Sequence, residues 1–241
     1  MKLTVASVSF QDTLQGVQVK PVVILSVSTL TLVTWKCFAS SQFYFENLAG
    51  RFVLFSDPQM TAAVYSFLGA LLLMGVLPAL IVKFVFRERL ADYGVCLGNR
   101  VRTVRSFLMC APGIVLIAYF AARNPSFWKE YPINRNAGAS PGMFTLHALT
   151  YLMFYIGWEF QFRGFMQHGL QGSMGTANAM LVQIMASVIV HIGKPTGEVY
   201  GSIIGGLIWG LLAIRTRSLL SGLLQHALLG ILLDWFICYQ R

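Results

Sequence analysis

Long apolar stretches alternate with short polar ones along almost the whole chain, and the apolar stretches have bilayer length. Spans are expected at Pro21 to Ser40, Met60 to Phe86, Ser106 to Ala122, Met143 to Leu170, Ala177 to Gly193, Glu198 to Thr216 and Leu219 to Tyr239, because roughly 20 apolar residues cross the hydrocarbon core as a helix. The third is short and the fourth over-long for a single crossing. Phe43 to Phe55, interrupted by Glu46 and Arg51, reads as an interfacial or re-entrant piece. In lipid each backbone N–H and C=O must be satisfied within the segment, so the expected fold class is all-α, a polytopic transmembrane helix bundle of about seven to eight helices.

Composition agrees with this pattern. Of 241 residues, 56% are hydrophobic and 11% charged, well under the roughly 25% charge of a soluble domain. The net charge of +9 does not make a nucleic-acid surface, because the cations sit at span ends. Lys2 and Lys20 precede the first span, Arg87, Arg89, Arg100, Arg102 and Arg105 follow the second, and Arg215 and Arg217 follow the sixth. The excess of Lys and Arg places these ends, and the N-terminus, in the cytoplasm, although Arg123, Lys129 and Arg135 run against it. The expected location is a bacterial inner (plasma) membrane, with lipid as the immediate partner and no nucleic acid. Lys36 within the first span and the polar stretch before it favour a retained anchor over a cleaved signal. Cys37, Cys96, Cys110 and Cys238 show no close pairing and no metal-type spacing, and read as small apolar fillers.

Charge placement divides the chain. Over residues 1 to 142 charges mostly cluster in loops and at span ends, as a scaffold of membrane helices requires; residues 143 to 241 form the expected working core of the same membrane domain. The acidic residues of that second part are Glu159, Glu198 and Asp234, each within or at the edge of an apolar span. Ionisable groups at such depth face a bundle interior or a wet cavity and are functional candidates by default. At about 1.5 Å per residue from the expected turns at Gly172 to Gly175 and Arg217, Arg163, Glu159, His226 and His191 fall in one slab across mid-bilayer, with Glu198 and Asp234 towards its far edge. In the sixth span Gly201, Gly205, Ser202, Gly206 and Gly210 are small residues spaced by four, suited to close packing on the fifth or seventh span.

Glu159 and Arg163, at i and i+4, share a helical face and can pair. Either this is a structural ion pair, or Arg163 keeps Glu159 ionised to take a proton from water. His191 and His226 can orient a water, hold a metal or donate to an oxyanion. Two histidines and a carboxylate also resemble a zinc set, so a divalent metal held by Glu159, His191 and His226 stays open, although these residues come from three helices. Lys194 and Glu198 bracket a break at Pro195, where Glu198 near a helix N-terminus is favoured by the macrodipole. Asp234, flanked by apolar residues, is a further candidate. His147 and His168 are expected at the membrane interface.

These residues resemble the CPBP family, the intramembrane endopeptidases related to type II CAAX prenyl endopeptidases and to bacterial abortive-infection proteins. The resemblance runs over roughly residues 87 to 236. It rests on Glu159-Phe160-Gln161-Phe162-Arg163-Gly164-Phe165, on His191-Ile192-Gly193-Lys194-Pro195 with Glu198, on His226, and more weakly on Leu90-Ala91-Asp92-Tyr93-Gly94. It implies an all-α membrane fold in which a water held by Glu and His attacks a peptide carbonyl. On that reading Glu159 is general base or water-holder, Arg163 its charge partner, and His191 and His226 water-positioning or oxyanion groups. Asp234, Glu198 and Lys194 rank second. The departures are specific: Trp158 stands where the family has its first glutamate, Ser187 where it has Phe, and Gly230 where it has Asn or Asp. They motivate a rival reading, a degenerate relative that serves as a membrane scaffold or assembly subunit of a protein complex. A proton-relay transporter fits the charge depth but not the spacing of the histidines.

Overall fold

The computed structural model describes residues 18–240, so Lys2 lies outside the described residues, and among the described residues the regular elements are all helical. Six helices are long and apolar enough to cross a membrane. They are α1 (Val19–Phe38), α3 (Pro58–Val85), α4 (Arg100–Ala121), the 51-residue Pro141–His191, α7 (Thr196–Thr216) and α8 (Leu220–Tyr239). A short helix, α2 (Ser41–Asn47), follows α1 where an interfacial piece is expected; the Ser40 hydroxyl caps it, accepting from the Phe43 N–H.

Pro141–His191 is a folded-back pair of helices rather than one rod. Gly175 has φ 79° and ψ 162°, a conformation essentially closed to residues with a Cβ. It divides the segment into α5 (141–174) and α6 (176–191). The Trp158 and His191 rings, on opposite sides of this break along the chain, lie 5.2 Å apart, so the chain reverses there. Counting both arms, the described residues form seven long helical segments, in the order in which the apolar pattern predicts spans. Two boundaries differ from expectation. The α4 helix starts at Arg100 rather than Ser106, because Asn99 caps it, accepting from the Arg102 N–H; Arg100, Arg102 and Arg105 therefore ride on its first turns. The over-long fourth span changes its winding partway, with Phe160–His168 wound as a π-helix. There the His168 Nδ1 lies 2.5 Å from the Arg163 carbonyl and donates to it, occupying a backbone acceptor in the widened stretch.

Helix α5 is the centre of the bundle. Every residue from Phe160 to Gln167 is buried. Phe162, Phe165 and Met166 join one core cluster with Ile24 of α1, Met74 and Val82 of α3, and Ala179 of α6. The polar side chains of this covered stretch find partners inside the bundle, Gln161 donating to the Ser28 hydroxyl and Gln167 to the Gly210 carbonyl. The small-residue stripe of α7 packs on α6: a methyl group added at Gly206 would meet Ile184 Cγ1 at 2.9 Å. The three basic groups gather at one end of the bundle. Lys20 pairs with Glu88 at 2.7 Å, the Asn99 N–H donates to the Thr216 carbonyl, and Arg102 donates to the Arg215 carbonyl.

Candidate active site

Glu159 is the last residue before the π-helical stretch of α5, and side chains from two positions, His226 and Arg163, meet it. His226 of α8 places Nδ1 2.9 Å from Oε1, in hydrogen-bonding range. The Arg163 Nη1 lies 3.3 Å from the same oxygen, close enough for charge attraction, yet neither Nη1 nor Nε of Arg163 has a hydrogen-bond acceptor. The second oxygen, Oε2, is buried without a partner against α8, where a methyl group at Gly222 would come within 2.6 Å. Trp209 of α7 backs the pair: its ring stacks on His226 at 4.2 Å and lies 5.5 Å from the guanidinium.

His191 closes α6 on the far side of Trp158. Its Nδ1 lies 2.7 Å from the Ser187 carbonyl oxygen, and a carbonyl only accepts, so the proton sits on Nδ1 and the Nε2 lone pair is free. That Nε2 faces Oε1 of Glu198, in the first turn of α7, at 3.8 Å. The Tyr131 hydroxyl donates to the same oxygen at 2.7 Å, and Oε2 of Glu198 is buried without a partner. Trp158 packs against both histidines, its ring 5.2 Å from His191 and 6.3 Å from His226.

Both histidines, Arg163, Glu198, Tyr155 and Trp158 line one cavity of about 440 Å³. Glu159 is not on its wall; its carboxylate lies behind His226 and against Gly222. The cavity reaches the bundle surface between α4 and α7. There Met109, Ile117 and Ile204 both line it and are 73%, 60% and 62% exposed.

The other candidates lie elsewhere. Asp234 pairs with Nε2 of His147 at 2.8 Å, both side chains essentially inaccessible. His147 is thus a core residue and not an interfacial one, because a buried carboxylate on α8 requires a partner and α5 supplies it. Lys194 pairs with Glu130 at 2.7 Å and does not line the cavity. Among the described residues no group of three or more His, Cys, Asp or Glu could hold a metal ion. Glu159, His191 and His226, the metal set weighed from sequence, are not brought together as such a group. Tyr131, Tyr155 and Trp209 are site residues that sequence reasoning passed over. Tyr151, Tyr155 and Glu159 are spaced by four on one helix, a signal that was available; Tyr131 sits in a loop and gave none.

Among the described residues, an all-helical bundle with six helices of membrane-crossing length and a cavity edged by a few ionisable side chains defines an integral membrane protein with an interior cavity. Residues 141–232 match the family model described as type II CAAX prenyl endopeptidase Rce1-like. Over that segment the chain is similar to that family, and the resemblance read from its motifs is borne out. The matched residues include Glu159, Arg163, His191, Glu198 and His226 and end just before Asp234. No curated protein and no solved structure gives a match.

Proposed function

We propose that this protein is an intramembrane endopeptidase that hydrolyses a peptide bond of a membrane-associated substrate. The observation that carries this reading is a single cavity edged by histidines from two helices, by a carboxylate and by Arg163, and open sideways between two lipid-facing helices. Its apolar portal suits a substrate that arrives through the bilayer, and its polar end suits hydrolysis. Arg163 keeps N–H groups without acceptors, and such pre-aimed donors polarise a carbonyl oxygen where charge develops. Glu159 acts through its neighbours: bound to Nδ1 of His226, it fixes the ring so that Nε2 is the free nitrogen. The three membrane-length helices within residues 1 to 142 act as the scaffold and the segment after residue 142 as the working core. With the basic end in the cytoplasm of a bacterial inner membrane, the N-terminus is cytoplasmic and His191 and Glu198 lie in the outer half of the bilayer.

Trp158, an apolar ring where a glutamate is expected, favours the rival reading of an assembly subunit. The test is cleavage by the purified protein in liposomes that also carry membrane proteins extracted from its host, with new N-termini tagged and sequenced by mass spectrometry. A discrete set of new termini that disappears with His226→Ala and with His191→Ala is expected. No new termini with the wild-type chain, together with a stable membrane complex that survives His226→Ala, would establish the rival instead.

A further inference from the structure

Trp158 leaves the cavity without the carboxylate that its helix is expected to supply, and Glu159 is enclosed behind His226. The carboxylate that does line the cavity comes from another helix. We propose that Glu198, facing His191, is the catalytic base that takes a proton from the attacking water. This rests on the hydrolytic reading above and goes beyond it by moving the base from α5 to α7.

The geometry supports the assignment on four counts. Oε1 of Glu198 and Nε2 of His191 are both acceptors, because the Nδ1 proton of His191 is committed to Ser187. At 3.8 Å they are too far apart for a direct hydrogen bond. A water between them can donate one hydrogen to each, which turns its lone pairs outward. The Tyr131 hydroxyl holds Oε1 in place while Oε2, buried and unpartnered, remains available. Lys194, four residues before Glu198, makes its ion pair with Glu130 at 2.7 Å rather than with Glu198.

The step balances without a co-reactant. Glu198 accepts one proton of the water as its oxygen bonds to the carbonyl carbon. The carbon–nitrogen bond then breaks, and the leaving nitrogen receives the proton that Glu198 held, giving one carboxylic acid and one amine.

The test compares wild type, Glu198→Gln, Glu159→Gln and Tyr131→Phe in the liposome assay, using whichever membrane protein the wild type cleaves. Loss of a general base slows such steps by about 10²- to 10⁴-fold, so a fall of that size is expected for Glu198→Gln with an unchanged unfolding temperature. A smaller fall is expected for Tyr131→Phe. In protein carrying ¹⁵N-histidine, the His191 Nε2 resonance should move with Glu198→Gln and stay put with Glu159→Gln, whereas the His226 signals should do the reverse. An active wild type whose rate survives Glu198→Gln overturns the assignment alone. No cleavage by the wild type overturns the hydrolytic reading and this assignment with it, and a His191 resonance indifferent to Glu198→Gln removes the pairing on which the assignment stands.

Discussion

Removing the Glu159 carboxylate strips Arg163 and His226 of their common partner. Arg163 and Glu159 are each 2% exposed in their side chains, and an uncompensated charge at that depth destabilises by roughly 3–5 kcal/mol. Glu159→Ala should therefore lower the unfolding midpoint sharply, in detergent followed by tryptophan fluorescence. Glu159→Gln should lower it less, because the amide oxygen still accepts from His226; equal midpoints for wild type and the alanine variant would refute the pairing. Gly230→Ala probes the opposite wall. Its new methyl group would fall 1.7 Å from the Tyr155 hydroxyl oxygen, so the ring must leave its place 4.9 Å from His226. Cleavage should fall by at least tenfold with the fold intact, and an unchanged rate would show that Tyr155 does not shape the site. At this scale the sequence was legible only where partners lie on one helix. Glu159 with Arg163 follows from a spacing of four. His147 was misread because its partner Asp234 lies 87 residues away, and Glu198 ranked low because nothing in one dimension brings the loop tyrosine Tyr131 against it. The position of Trp158 flagged a missing group but not its replacement.

Among the elements, apolar runs were readable because lipid leaves the backbone no alternative to helix. What they conceal is where a helix widens or outlasts its apolar part: the π-helical stretch of α5 involves a side chain bonding back to the backbone, and the start of α4 is decided by Asn99. The hairpin between α5 and α6 gives a clean test of backbone against packing. Neither Gly172 nor Gly175 has any atom within 4 Å of where a Cβ would stand, but only Gly175 has a positive φ. Gly175→Ala should destabilise by about 1–3 kcal/mol, the usual magnitude for forcing such a conformation, and Gly172→Ala should be nearly silent. Matching losses in the two variants would mean that space, not φ, governs the turn. A larger effect on cleavage than on stability is also expected for Gly175→Ala, since this hairpin sets the register that brings His191 back beside Trp158.

For the molecule as a whole, the end where the basic residues gather is fastened by a polar clasp between the start of α1 and the loop after α3. Glu88 accepts from Lys20 Nζ at 2.7 Å and from the Tyr93 hydroxyl at 2.5 Å, and Lys20 also lies 5.4 Å from the Tyr93 ring centre. Partial burial pushes the Glu88 carboxyl up, but the hydrogen bonds from Lys20 and Tyr93 and the Lys20 charge outweigh it, so the group sits below the usual carboxylate range. A carboxyl lowered by folding stabilises the native state fully above its unfolded value, and that contribution fades as pH falls through the folded one. With both partners of the ion pair over a third exposed, the magnitude belongs to partly solvated pairs, about 1 kcal/mol or less. Glu88→Gln should accordingly unfold earlier than wild type near neutrality, and the two unfolding midpoints should converge as the solution is acidified past the folded value. Raised salt at neutral pH should narrow the same gap by screening the Lys20 charge. A gap that stayed constant across pH and salt would assign the clasp to packing of Tyr93 alone and leave the first helix held to the bundle by its apolar face.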